Sequence, residues 1–372
     1  TAVFTNKYAE GYPSLRMTIE ERNRIEKEPE RYLAFHRRYG DRRFYKGAEF
    51  SNFVEVLAQR RAAELFANPN APVDGIFVNV QPLSGAAANN AVYNSFLVPG
   101  DVIMGMSLSY GGHLTHGSPF NRSGRQYKVI PYTVDLKTGQ FDYEALEKLA
   151  MEHKPKIIIA GASAFPWNID WVRFKAIAEK VPVQITGLSR TGAILMADIS
   201  HPAGLVVAGL FNNPVGVADV TTFTTHKTLC GPRGAVIISS DEEIAKRIDL
   251  GVFPGEQGGP HLNNITAKAV AFKIAASKEF KALQAMIAAN CKTLADEFRK
   301  LGFHLAYGGT NTHLVLIDLD SVRTASGIPS KGDVASNILD LCGITCNKNA
   351  LPGDETGARP RGLRFGTTVL SQ

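Results

Sequence analysis

The chain has 372 residues, 44% of them hydrophobic and 20% charged, which suits two globular domains around a large core. No run of about 18 apolar residues could span a membrane, and no signal peptide is visible at the start, so a cytoplasmic protein is expected. The net charge of +6 is spread along the chain, which suits anionic small ligands better than nucleic acid.

Residues 1–17 read as a loop carrying Tyr8, Glu10 and Tyr12. Thr18-Ile19-Glu20-Glu21 has the pattern of a capping box and opens a charged segment that runs to about Gly40. Gly75-Ile76-Phe77-Val78-Asn79-Val80 predicts a strand, followed by a helix over about 84–97 that opens with Ser84-Gly85-Ala86. Residues 102–104 and 156–160 predict further strands, with a helix at about 142–152 between them. Ala193-Ile194-Leu195-Met196-Ala197 is an apolar run ending on Asp198, and residues 218–223 and 235–238 predict two more strands. This alternation argues for an α/β domain on a mostly parallel sheet. A helical pattern then runs from about 262 to 301, followed by a strand at 313–318 and a helix at about 333–341, which makes a smaller α+β domain. Cys230, Cys291, Cys342 and Cys346 do not build a zinc site, and so few in so long a chain fit a reducing compartment. Cys342 and Cys346 read as core residues.

The chemistry gathers at a few strand ends. Lys227 lies in Thr224-Thr225-His226-Lys227-Thr228-Leu229-Cys230-Gly231-Pro232-Arg233-Gly234, directly after a β-branched strand and before a forced turn. A lysine fixed there is what a Schiff-base amine facing an aldehyde cofactor needs. Asp198 ends its strand at the edge where open α/β sheets bind ligands, and a carboxylate there can pair with a protonated pyridine nitrogen. His201 follows three residues on. Ser84, Gly85 and Ala86 offer helix N-terminal amides to a phosphate. His113 follows two glycines that let the backbone approach a ligand. His113 and His116 are spaced as a metal pair could be, but no third ligand is apparent, so no metal is expected. Arg364, in Arg361-Gly362-Leu363-Arg364-Phe365-Gly366, presents a fork that matches a carboxylate. No Gly-x-Gly-x-x-Gly opens a helix after the first strand, which sets aside a dinucleotide-binding dehydrogenase.

Thr-Thr-His-Lys-Thr-Leu-x-Gly-Pro-Arg-Gly downstream of Asp-x-x-His resembles serine hydroxymethyltransferase (glycine hydroxymethyltransferase), a fold-type I enzyme that uses pyridoxal 5′-phosphate (PLP). Asn6-Lys7-Tyr8-Ala9-Glu10-Gly11-Tyr12-Pro13, Gly111-Gly112-His113-Leu114-Thr115-His116-Gly117, Phe253-Pro254-Gly255-Glu256-Gln257-Gly258-Gly259-Pro260 and Asn347-Lys348-Asn349 match further family blocks in order. The resemblance covers about residues 5–367. It implies an aspartate aminotransferase-like large domain with a mostly parallel sheet and a smaller α+β C-terminal domain. The expected division is an N-terminal segment over 1–50, a PLP-binding domain over 51–261 and a small domain over 262–372. Two insertions are expected, at about 14–43 and 182–191. The family's chain usually extends beyond both ends of this one.

The implied activity moves the serine hydroxymethyl carbon to tetrahydrofolate, leaving glycine. A related PLP aldolase or an α-methylserine hydroxymethyltransferase is the alternative on the same fold. A non-catalytic or RNA-binding homologue fits poorly with Lys227, Asp198, His113 and Arg364 all retained. By resemblance Lys227 carries PLP, Asp198 sustains its electron sink and His113 stacks on its ring. Ser163 stands near the phenolic oxygen, and Thr224, His226 and His201 complete the cofactor's surroundings. Gly258 and Gly259 resemble the pair that a neighbouring subunit adds to the phosphate. Ala86 stands where serine is usual. Arg364 takes the substrate carboxylate, Glu10 handles protons, and Tyr8 and Tyr45 reach the neighbour's site. Leu108, Gly112, Leu114, Phe253, Lys348 and Asn349 are the expected folate contacts. The implied assembly is a homodimer with shared sites, or a tetramer.

Overall fold

The computed structural model describes residues 9–17, 27–35, 38, 41–320, 322–323, 330–354 and 360–372. Seven strands form the main sheet: β1 (Phe77–Asn79), β2 (Val102–Met106), β3 (Lys128–Tyr132), β4 (Ile157–Gly161), β5 (Ile194–Asp198), β6 (Val220–Thr224) and β7 (Ala235–Ser239). Their order is β1-β7-β6-β5-β4-β2-β3. Neighbours from β3 across to β6 run parallel, and β7 is antiparallel to both β6 and β1. Strands β4 to β7 are buried along their whole length. That is why they read as continuous apolar and β-branched runs rather than as alternation. Successive residues feed opposite faces: Ile158, Ala160, Leu195 and Ala197 join one core cluster, Ile157, Ile159, Ile194 and Met196 the other.

A second, antiparallel sheet comprises β8 (His304–Leu305), β9 (Leu314–Asp318), β10 (Asn347–Asn349) and β11 (Gly362–Gly366), in the order β10-β11-β9-β8. Cys291 and Ala295 of the helix Lys278–Lys300 pack with Val315, Ile317 and Leu363 as its core. Cys346 packs partly against this cluster, but Cys342 is exposed, so the reading of Cys342 as a core residue is corrected.

The helical pattern expected over 262–301 is two helices, Leu262–Ala275 and Lys278–Lys300. Ser277 makes the break: its hydroxyl accepts from Phe280 N–H at 3.1 Å and caps the second helix. The first helix belongs to the main core through Ile265, Ala269 and Phe272. It also carries Lys268, fully buried, whose Nζ donates to the carbonyls of Val80, Pro82 and Ala235. This staples the segment leading to Ser84 onto the start of β7.

Of the expected insertion at 14–43, the described part includes a helix, Pro29–Phe35; the Thr18–Glu21 capping box and Tyr8 lie outside the described residues. In the segment 182–191, Ile185 and Leu188 are buried against Ile244 and Ile248. No helix among the described residues is long and apolar enough to cross a membrane.

Candidate active site

Strands β4, β5 and β6 run parallel, so their C-terminal ends share one edge. Gly161 pairs with Asp198, and Asp198 with Thr222. Gly161 has φ +150°, and a Cβ there would sit 2.3 Å from the Asp198 carbonyl oxygen, so only glycine lets β4 approach the aspartate this closely.

Asp198 is buried, and its carboxylate is fully engaged. Oδ2 accepts from Asn89 Nδ2 at 2.9 Å and from His116 Nε2 at 3.0 Å; Oδ1 accepts from Ser200 N–H at 3.0 Å. Burial opposes its charge, but these hydrogen bonds and the His116 and His113 rings hold the carboxyl well below the usual range. Nδ1 of His116 accepts from the His113 N–H, which leaves the proton on Nε2, pointing at Asp198. Asn89 is itself fixed: its other amide hydrogen goes to Thr115 Oγ1, and its carbonyl accepts from Thr222 Oγ1, each at 2.8 Å. Thr115 returns to His113, whose Nδ1 accepts from Thr115 N–H at 3.2 Å and lies 2.7 Å from its hydroxyl. Burial, then the neighbouring His116, push the His113 ring down to about 4, so it is neutral at pH 7.

Lys227 is pinned from both sides of its turn. Thr228 Oγ1 donates to His201 O at 2.6 Å and accepts from Gly204 N–H; the Thr228 carbonyl accepts from Gln284 Nε2 at 2.7 Å. Thr225 closes the other side, bonding Gly234 and Gly231 through its backbone. Burial lowers the Lys227 ammonium, with Arg364 adding to the fall and Asp198 opposing it. A lowered lysine is a better nucleophile at neutral pH.

At the far wall, Ser84 caps the helix Gly85–Phe96, its Oγ accepting from Ala87 N–H at 3.2 Å. A Cβ on Gly85 would sit 2.8 Å from Thr224 Cγ2, so glycine lets the end of β6 lie against the helix start. The first amides of that helix have no intrahelical acceptors. His226, whose Nδ1 is buried without a partner among the described residues, faces the same space.

These groups line one cavity of about 230 Å3. It gathers Ser84, Gly85, Ala86, His113, Ser163, Asp198, His201, Thr224, His226 and Lys227. Leu108, Gly112, Leu114, Lys348 and Asn349 line an adjoining cavity of about 260 Å3, which shares His113 and Ser163 with the first. Arg364 stands beside both, its Nη1 donating to Ser163 O at 2.7 Å. A larger cavity of about 360 Å3 lies behind β1, walled by Phe77, Gln59 and Asp249; it holds none of the expected residues.

Besides Arg364, five of the expected residues that are described do not line these two cavities. A side chain on Gly258 would begin 3.1 Å from Glu10 Oε1, and one on Gly259 3.5 Å from Glu10 Cγ, so Glu10, Gly258 and Gly259 form their own cluster. Phe253 is buried against Tyr12 and Phe44, and Tyr45, next to Phe44, is exposed. Arg43 organises this second cluster: its guanidinium pairs with Glu55, both fully buried, and donates to Asn52 and to the Ala9 carbonyl. Phe44 N–H donates to the Glu10 carbonyl at 3.0 Å, so Glu10 and the segment leading to Tyr45 lie side by side over this buried arginine.

Sequence reasoning missed Asn89 and His313, and considered His116 only as a metal ligand. Among the described residues no cluster of side chains suits a metal ion; His116 serves Asp198 instead. The i, i+5 step from Ser84 to Asn89 along the helix gave no signal, because a buried amide has no periodicity of its own.

Residues 34–372 match the family model described as serine hydroxymethyltransferase. The chain is also similar to the serine hydroxymethyltransferase of Endomicrobium trichonymphae, 44% identical over 368 residues, which is 99% of this chain and 76% of that protein.

Proposed function

The chain belongs to the serine hydroxymethyltransferase family, and from that footing we propose how its residues divide the work. Its activity is the reversible transfer of the serine hydroxymethyl carbon to tetrahydrofolate, giving glycine and 5,10-methylenetetrahydrofolate, with PLP as cofactor.

The donor set suits PLP at each functional group. The opening amides of helix Gly85–Phe96, in the close approach Gly85 permits, would hold the phosphate. With Ala86 in place of a hydroxyl residue, Ser84 and the backbone amides carry that end, joined by Thr224 and His226. The ionised Asp198 suits the ring nitrogen, the Lys227 amine the aldehyde, and the neutral His113 ring the pyridine face. Ser163 would sit near the phenolic oxygen. When bound, PLP supplies an electron-poor ring that stores the electron pair freed as the serine Cα–Cβ bond breaks.

The chain's own groups then have defined tasks. Asp198, whose own affinity for a proton is low, would favour a proton on the cofactor's ring nitrogen. Arg364 keeps N–H donors beyond the one spent on Ser163 and would clamp the amino-acid carboxylate. Lys227 would hold the cofactor through its amine and free it to the amino group of the substrate. Glu10 moves the proton at the serine hydroxyl. Leu108, Gly112, Leu114, Lys348 and Asn349 would seat the folate in the adjoining cavity, with Phe253 contributing from the other cluster. Because Glu10, Tyr45, Gly258 and Gly259 stand apart from the Lys227 cavity of their own chain, a second copy would present them to it, with Tyr8, giving a homodimer of shared sites.

The observation that carries this reading is Lys227 and Asp198 walling one cavity, with the lysine's turn tied by Thr228 to the strand end that bears the aspartate. Borohydride reduction of the PLP-loaded protein and peptide mapping test it. The label is expected on Lys227, and a label on any other lysine overturns the assignment.

A further inference from the structure

His313 directly precedes β9 in the second sheet, yet its ring meets His201, which lines the Lys227 cavity. Its Nε2 lies 3.2 Å from Nδ1 of His201, and the two rings meet edge to edge, with centroids 5.4 Å apart and planes within 22° of parallel. His313 is buried, and its Nδ1 has no hydrogen-bond partner among the described residues. Burial and the cations Arg364 and Lys227 keep both rings uncharged: His201 is held well below its usual range and His313 falls to about 3, with Asp198 alone opposing the fall at His201.

Two neutral imidazoles meeting nitrogen to nitrogen share one proton, and the structure decides whose it is. If His201 donated, His313 would carry its own proton on Nδ1, a buried N–H with no acceptor. If His313 donates from Nε2, its Nδ1 is a bare ring nitrogen, a smaller penalty than an orphaned buried donor. His201 then accepts at Nδ1 and carries its proton on Nε2, the remaining nitrogen of a ring that lines the Lys227 cavity.

We propose that His313 is a positioning residue that fixes the tautomer of His201, so that His201 offers an N–H donor, not a bare nitrogen, to the Lys227 cavity. A fixed donor is what an anionic oxygen of the cofactor or of the amino-acid substrate requires there. The inference rests on the placing of the active site at Lys227, but it concerns a proton whose position is measurable without turnover.

The test is nitrogen-15 NMR of the full-length, histidine-labelled protein, with and without PLP, His201 being assigned by its loss in His201→Asn. The expected result is a bare Nδ1 and a protonated Nε2 in His201. His313→Leu should shift His201 to a tautomer mixture and lower kcat about tenfold, the worth of one oriented hydrogen bond. His313→Gln, whose amide can still donate, should restore most of both. A protonated Nδ1 in the parent protein overturns the proposal with no variant needed, as does an unchanged tautomer in a folded His313→Leu. If the tautomer is as stated but borohydride labels a lysine other than Lys227, the placing of the site fails and the histidine pairing stands.

Discussion

His116 donates its Nε2–H to Asp198 Oδ2 at 3.0 Å across 82 positions of sequence, and both side chains are buried. The contact also fixes how the carboxylate is turned, since Asn89 approaches the same oxygen and Ser200 the other. His116→Phe keeps the ring's volume and removes the donor. PLP affinity, read by titrating the cofactor-free protein, should fall about tenfold, the worth of a charge-assisted hydrogen bond. Unchanged affinity would leave Asn89 and Ser200 as sufficient supports for Asp198.

Arg364→Ala should weaken glycine binding by about two orders of magnitude or more, because a buried carboxylate would lose a bidentate partner. Arg364→Lys should recover only part of this, keeping charge without the fork. The measurement is the glycine-induced change in cofactor absorbance. An Arg364→Ala protein that binds glycine normally would falsify the role.

Glu10→Gln should lower tetrahydrofolate-dependent serine cleavage by about two orders of magnitude, in line with lost acid–base catalysis, while PLP stays bound. Glu10 is set among Gly258, Gly259 and the Arg43-anchored loop, outside the cavity lined by Lys227 and Asp198 of its own chain. Loss of PLP in this variant would make Glu10 a structural residue.

Mixing inactive Lys227→Ala chains with inactive Tyr45→Ala chains should restore partial activity. One site of the mixed dimer would take its lysine from one chain and its tyrosine from the other. If heterodimers form and stay inactive, each chain's site is self-contained.

Asp249, at the wall of the cavity behind β1, accepts from Asn79 Nδ2 at 2.9 Å. Burial pushes its carboxyl up to about 7, against the pull of that hydrogen bond. An acid with a raised folded pKa binds more protons folded than unfolded, so stability falls as pH rises from about 4 to about 7. Asp249→Asn removes this slope. Its melting temperature should exceed the parent's by several degrees at pH 8 and by less at pH 5; an equal difference at both values would mean that Asp249 does not titrate in this window.

The parts legible from sequence share a physical cause. Ile157 to Gly161 and Ile194 to Asp198 are buried on both faces, so their apolar runs announce central strands, and the aspartate that ends the second is conspicuous. The turn around Lys227 was legible because glycine and proline restrict the backbone locally. The Ser277 break was hidden: the apolar pattern continues through it, and one hydroxyl decides where the helix restarts. His116, Asn89 and His313 were missed because each meets its partner through tertiary folding. Nothing near Thr312-His313 in the chain points to His201, 112 positions away.

The bond from Gln284 to the Thr228 carbonyl reaches the lysine turn from the helix that backs the second sheet. The turn is therefore held from two layers, by Gln284 on one side and by His201 and Gly204 on the other. A one-turn slide of that helix is about 5.4 Å, enough to break the Gln284 bond and leave the lysine turn without that support. If Lys227 carries PLP, the loaded protein would be yellow, and packing faults along the helix would show as a loss of that colour. A visual screen for colour could thus map, without any assay of turnover, how far from the cavity the helix must stay in register.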